Sequence, residues 1–236
     1  MDQKRFEAAV RSYWEVRTAQ SGKQAAAGKS DAGSRGAVTG GKHLDAMADL
    51  IEEIFLDAGF PESSINRSSR VELPGYFRAE KKWDLVVVHE GTLAAAIEFK
   101  SQVGPSFGNN FNNRCEEAIG NAVDVWTAFR EGTFGTSRPW LGYMFLLEEA
   151  EGSTKAVKVA EPFFDVDPEF EDASYKKRYE ILCRRLLLER LYDAACLVTS
   201  SADPQAPIHE PSAELSFTAF IGAIRGRAAA LSLGAS

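Results

Sequence analysis

Between Trp83 and Gln102 the chain reads WDLVVVHEGTLAAAIEFKSQ, two runs of Val, Leu, Ile and Ala parted by a short Glu-Gly-Thr break. Two apolar, strand-forming runs around a glycine-containing break predict an antiparallel hairpin. Side chains alternate along a strand, so Glu98 and Lys100 share one face with Ala94 and Ala96, and Leu93, Ala95, Ile97 and Phe99 share the other. With Glu90-Gly91-Thr92 as a three-residue turn, strand pairing sets Asp84 opposite Glu98. A two-residue turn breaks that parity unless a bulge restores it.

Elsewhere the apolar spacing is helical. Phe6, Val10, Tyr13 and Trp14 predict an amphipathic helix over residues 3–19, and Leu44, Met47, Ile51, Ile54, Phe55 and Ala58 a second over 43–58, ended by Gly59-Phe60-Pro61. A strand around 71–77, interrupted at Pro74-Gly75, leads into the hairpin. After Lys100 the pattern predicts a loop, a helix over 114–130, a strand over 140–147, a helix over 175–192, a short apolar segment over 194–199 and a last helix over 213–231. Helices before and after a short mixed sheet define an α/β fold. Residues 21–42, SGKQAAAGKSDAGSRGAVTGGK, lack large apolar side chains and read as a mobile basic loop carrying Lys23, Lys29, Arg35 and Lys42. Such a loop either closes over a DNA backbone or only connects two helices. The string ending Gly28-Lys29-Ser30 has five residues between its glycines where a phosphate-binding loop has four, and no strand precedes it, so no nucleotide cofactor is expected.

Composition narrows the class. A length of 236 residues suits one domain with an ample core, and no apolar run approaches a membrane span. The charged start MDQKRFEAAVRSYWEVR does not read as a signal peptide, which points to the cytoplasm. Cys115, Cys183 and Cys196 are widely spaced and odd in number, against both a disulfide framework and a zinc site. The net charge of −7 is awkward for a DNA-binding protein, but it is local: residues 148–172, read as an acidic connection, hold nine carboxylates and two lysines. The remaining chain is balanced and leaves room for a DNA-facing side.

Asp84, Glu98 and Lys100 are the candidate chemistry. Two carboxylates a cross-strand pair apart can hold one hard divalent cation, and an ammonium beside them can orient or polarise a water, which outlines a phosphodiester-cleaving site. A solvated strand end is the plainer reading of the same charges. The hairpin and the stretch SQVGPSFGNNFNNRCEEAIGNAVDVW that follows it resemble the restriction endonucleases of the XhoI family, most clearly over residues 83–131. That family looks like a branch of the PD-(D/E)xK nucleases, whose catalytic pattern falls on Asp84, Glu98 and Lys100, with Trp83 where the pattern's name has Pro.

The resemblance implies a restriction-endonuclease-like core with a mixed central sheet flanked by helices. It implies Mg²⁺ held by Asp84, Glu98 and the Phe99 backbone carbonyl; a helix ahead of the hairpin often adds a further acidic group in that superfamily, for which Glu52 is the candidate, a solvated helix flank being the plainer reading of that residue. It also implies a homodimer cutting double-stranded DNA at the palindrome 5′-CTCGAG-3′ after the first C, and a companion DNA methyltransferase. Beyond the strand, Gln102, Asn109, Asn110, Asn112, Asn113 and Arg114 are candidate base-reading groups, since Asn and Gln pair bidentately with adenine and Arg with guanine. The competing reading is a turn-rich loop with Asn113 capping the next helix. Two other functions keep the same residues: a structure-selective repair or recombination nuclease, and a DNA-binding protein whose carboxylates are only structural.

Overall fold

The computed structural model describes residues 2–26, 42–160 and 163–233. A five-stranded mixed sheet has the order β1-β4-β5-β6-β7, formed by Ile65–Asn66, Leu85–His89, Thr92–Gln102, Leu141–Glu148 and Ala194–Ser200. β1, β4 and β5 pair antiparallel, and β5, β6 and β7 pair parallel. The central strand β5 is covered on both faces, which is why Leu93 to Ile97 form an unbroken apolar run rather than an alternation of apolar and polar residues.

Helices α1 (Asp2–Ala26), α2 (Asp45–Asp57) and α5 (Phe217–Leu233) line one face through Phe6, Val10, Ile51, Phe55, Phe217 and Phe220. The parallel strands need crossovers, and these are α3 (Phe107–Arg130) and α4 (Tyr175–Leu188), which cover the other face. The α/β expectation holds, with several boundaries moved. α1 continues to Ala26, so the first residues of the expected 21–42 loop are helical and Lys23 lies on that helix. Lys42 opens a short 3-10 turn, Lys42–Leu44, ahead of α2. Lys29 and Arg35 lie outside the described residues. α3 starts at Phe107, seven residues before the expected start, because Phe107 and Phe111 extend its buried stripe. No described helix is long and apolar enough to cross a membrane.

The hairpin turn corrects the sequence expectation. His89 pairs with Thr92 across a two-residue turn, Glu90-Gly91, whose φ values of 50° and 76° match the mirror-image turn that suits strand twist. Parity is restored by a bulge: Val87 pairs with Ala95 but Val88 with Leu93, leaving Ala94 as the extra residue. Leu85 therefore lies opposite Ile97, and the same register carried one residue further sets Asp84 opposite Glu98. The bulge also reassigns the faces. Leu93 joins Ala96 on the Glu98 side, whereas Ala94 joins Ala95 and Ile97 against α1, α2 and α5.

The single strand expected over 71–77 is instead a separate two-stranded arm, β2 (Glu72–Pro74) and β3 (Glu80–Lys82). Val71, Leu73 and Trp83 root it in the core beneath α3 and α4. Asp124 on α3 pins its tip, accepting the Tyr76 and Phe77 N–H groups at 2.7 and 2.9 Å and Arg78 Nε at 2.6 Å. Asn121 Oδ1 accepts a second Arg78 nitrogen at 2.8 Å. A Cβ on Gly75 would lie 2.4 Å from the Asp124 carboxylate, so only glycine lets the chain approach this closely.

Asp124→Ala strands two backbone donors and a guanidinium and should lower stability by about 2–4 kcal/mol, read from urea unfolding. Burial works to raise the Asp124 carboxyl, and the Phe77 N–H, Arg78 and the Tyr76 N–H together outweigh it and hold it below the ordinary range. Its contribution should be complete above about pH 4, the unfolded value, and disappear as pH falls through the depressed folded value; in the Ala variant this part of the acid sensitivity should be missing.

Candidate active site

Asp84 and Glu98 converge at the start of β4 and in the second half of β5. Asp84 Oδ2 accepts the Phe99 N–H at 2.8 Å, which ties the first carboxylate to the strand that carries the second. Glu98 is 3 % exposed and is held by two ammonium groups, Lys100 on Oε1 and Lys81 on Oε2. Lys81 comes from β3 of the arm, and its Nζ stands 4.2 Å over the Trp83 ring and donates to the Lys82 carbonyl at 3.1 Å. No motif or spacing in the sequence singles out Lys81. Its distance of seventeen positions from Glu98 carries no periodic signal, since the link exists only because the arm folds back over the sheet.

Electrostatics separate the two carboxylates. Burial and the neighbouring Glu98 charge raise the Asp84 carboxyl, with Lys100, the Phe99 N–H and Lys81 pulling the other way. Burial also works to raise Glu98, but the Lys100 and Lys81 ammonium groups outweigh it and hold that carboxyl below its ordinary value. Lys81 is pushed down by its own desolvation, against the pull of Glu98. The Glu98 charge is thus the fixed one in the cluster.

The donor set fits a hard divalent cation. Two carboxylates contribute oxygens, and a main-chain carbonyl lies at the same edge. Phe99 sends its N–H to Asp84, and the N–H and C=O of a strand residue leave on the same side, so its carbonyl points to the β4 edge just beyond the first residue of that strand. Among the described residues no group of three or more carboxylates, imidazoles or thiols is placed to hold a metal. Glu52, expected as a further acidic ligand, is paired with Arg67 at 3.0 Å and is not gathered with Asp84 and Glu98.

The amide-rich segment divides. Gln102 is 3 % exposed; its Nε2 donates to the Phe107 carbonyl at 3.1 Å and its Oε1 accepts the Tyr179 hydroxyl. In this arrangement it braces the start of α3 against α4 and presents nothing to solvent, at variance with the base-reading expectation. Asn109, Asn112 and Asn113 lie on the exposed face of α3, Asn110 is half-buried, and Arg114 is half-buried and paired with Glu117. Asn113 sits in the second turn of α3 and does not cap it; Ser106 holds the cap position. The cations of α4 have internal partners: Lys176 meets Glu149 at 3.0 Å, and Arg185 meets Asp167 and Glu169 at 2.5 and 3.2 Å. Three of the nine carboxylates in 148–172 are therefore answered by one helix. The three thiols are unpaired, with Cys183 and Cys196 buried and Cys115 half-buried, where desolvation pushes its thiol up to about 11.

A mixed sheet with helices on both faces, carrying two carboxylates and a lysine at the edge of its central strands, has the form of a restriction-endonuclease-like core. The family model for restriction endonuclease XhoI matches residues 23–208. The chain is 51% identical over 204 residues to the Type II restriction enzyme BstVI of Geobacillus stearothermophilus, covering 83% of this chain and 91% of that enzyme. It is 47% identical over 164 residues to the Type II restriction enzyme XhoI of Xanthomonas vasicola, covering 68% and 66%. It is 46% identical over 157 residues to the Type II restriction enzyme AbrI of Azospirillum brasilense, covering 66% and 70%. No solved structure matches. The chain belongs to the XhoI family of Type II restriction endonucleases, which are site-specific deoxyribonucleases.

The split of the amide segment has a measurable consequence. Gln102→Ala leaves the Tyr179 hydroxyl without its acceptor and should cost about 1–3 kcal/mol in urea unfolding, whereas Asn112→Ala on the exposed face should stay within about 0.5 kcal/mol of wild type. Equal stabilities for the two variants would contradict the bracing role of Gln102.

Proposed function

We propose that this chain is a Mg²⁺-dependent Type II restriction endonuclease that cuts double-stranded DNA at 5′-CTCGAG-3′ after the first C. The observation that carries the catalytic part is the convergence of Asp84, Glu98 and Lys100 on one end of the β4–β5 hairpin. Asp84, Glu98 and the Phe99 carbonyl would hold the cation, which when bound supplies Lewis-acid polarisation of the phosphate and lowers the cost of forming hydroxide. Lys100, anchored on Glu98, orients the attacking water in line with the scissile bond and offers positive charge to the phosphate oxygens as negative charge builds on them. The new bond joins the water oxygen to phosphorus, and the bond to the 3′ oxygen breaks. The products are a 5′-phosphate and a 3′-hydroxyl on a four-base 5′ overhang.

The target is a palindrome, and a two-fold target is matched by two copies of the chain related by the same symmetry, so the working form is a homodimer. Asn109, Asn112 and Asn113, turned outward on α3 a few residues beyond the catalytic strand, form the base-reading set, with Arg114 and the half-buried Asn110 beside them. Lys23, Lys29, Arg35 and Lys42 supply cations for the phosphate backbone. The enzyme acts in the cytoplasm, where a companion methyltransferase protects the host's own CTCGAG sites. The recognition sequence rests on the match to the XhoI family over residues 23–208 and on the identity with its Type II enzymes.

Plasmid DNA with one CTCGAG site, incubated with the pure protein and Mg²⁺, should give one linear product with a four-base 5′ overhang. Cleavage only of branched substrates, or binding without cleavage, would refute this reading. Lys100→Ala should slow cutting by at least about 10²-fold while retaining the wild-type affinity for a CTCGAG duplex in Ca²⁺, measured by fluorescence anisotropy. A variant that cuts at the wild-type rate would remove Lys100 from the reaction.

A further inference from the structure

Two ammonium groups occupy both oxygens of the carboxylate that a divalent cation needs. Lys100 takes Glu98 Oε1 and Lys81 takes Oε2, so Asp84, Glu98, Lys81 and Lys100 together carry no net formal charge. A divalent cation entering this cluster meets two positive groups at close range in a poorly hydrated site, where like charges repel strongly. The two lysines differ in how they are mounted. Lys100 stands two residues from Glu98 on β5, inside the five-stranded sheet, where the proposed reaction needs its ammonium beside the attacking water. Lys81 belongs to the two-stranded arm, which is a separate sheet fastened to α3 through Asp124. Its ammonium can leave Glu98 by side-chain rotation alone.

A departing ammonium needs another anion, because Lys81 is itself largely buried and, among the described residues, its other acceptor is the Lys82 carbonyl. The DNA phosphodiester is an anion that the reaction brings to the same place. We propose that Lys81 is the resident counter-ion of Glu98, closing the catalytic carboxylates to divalent cations in the DNA-free protein, and that on DNA binding its ammonium passes to a backbone phosphate. Lys81 thereby makes cation loading depend on DNA. This rests on the reading of Asp84 and Glu98 as the cation-holding pair. Lys81 acts through Glu98 and is a positioning residue for the reaction.

The probe is Ca²⁺ alone, titrated calorimetrically into the full chain without DNA. Lys81→Met keeps the length of the side chain and removes its charge; it should bind Ca²⁺ at least about tenfold more tightly than wild type, while Lys81→Arg should remain within about twofold of wild type. With a CTCGAG duplex present, the difference between Lys81→Met and wild type should shrink to about threefold or less. Circular dichroism checks that the variants are folded, and Lys81→Gln replaces Lys81→Met if the latter is not. Affinity for Ca²⁺ that is unchanged, weaker or absent in the folded neutral variant overturns the proposal, as does a difference that DNA leaves intact. The double variant Lys81→Met/Glu98→Gln separates the two layers of inference. Loss of Ca²⁺ binding in it supports both, whereas binding that survives there shows that the cation is held elsewhere and brings down the metal-site assignment itself.

Discussion

Glu98 is a carboxylate placed in the centre of a five-stranded sheet and closed off from water. A buried charge is tolerated only when opposite charge and hydrogen bonds replace the lost hydration, since an unpaired one costs several kcal/mol even after relaxation. Much of the surrounding architecture answers that demand. β5 supplies Lys100 from its own next outward position, and the β2–β3 arm folds over the sheet to supply Lys81. The arm is in turn held at its root by Trp83, Val71 and Leu73 and at its tip by Asp124.

The same strand serves two purposes because its faces are unlike. Phe99 and Ile97 point into the core formed with α1, α2 and α5, and their burial fixes the strand. Glu98, one residue along, points the other way and inherits that rigidity. Asp84 is joined to this platform through the Phe99 N–H, so the distance between the two carboxylates is set by a backbone contact rather than by two flexible side chains. A site built on paired strands of a packed sheet holds its groups more exactly than one built on a loop.

Charge is distributed with comparable economy. A chain with net charge −7 is poorly suited to a polyanion if its acidity is spread evenly. Here part of the 148–172 acidity is spent on Lys176 and Arg185 of α4, while the first two turns of α3 expose the uncharged amides Asn109, Asn112 and Asn113, ahead of the exposed Glu116 and Glu117. The DNA-reading surface proposed for α3 is thus an uncharged patch at the start of that helix, and the nearby Glu148 carboxylate is turned to a backbone donor, accepting the Gly104 N–H at 2.8 Å.

The hydrophobic pattern by itself determined that a hairpin spans Trp83 to Gln102, that helices flank a mixed sheet, and that Asp84, Glu98 and Lys100 lie at one end of that hairpin. Alternation and helical periodicity are local properties, and both survive into the fold. The amide-rich stretch was legible as a family signature but not as structure. Its Phe107 and Phe111 extend a helical stripe that was hidden by Gly104, Pro105 and Gly108, and Gln102 could be seen as buried only once Tyr179, far along the chain, was in place. Parity in the hairpin was a second such case, because a two-residue turn with a bulge and a three-residue turn without one leave the same sequence signal and place Asp84 identically. Lys81 was the third. Its partner Glu98 lies on another sheet, and only the folding of the arm onto α3 brought the second ammonium to the carboxylate. Contacts across a turn or along a strand are written in spacing; those between separate sheets depend on where whole elements pack, which no local pattern encodes.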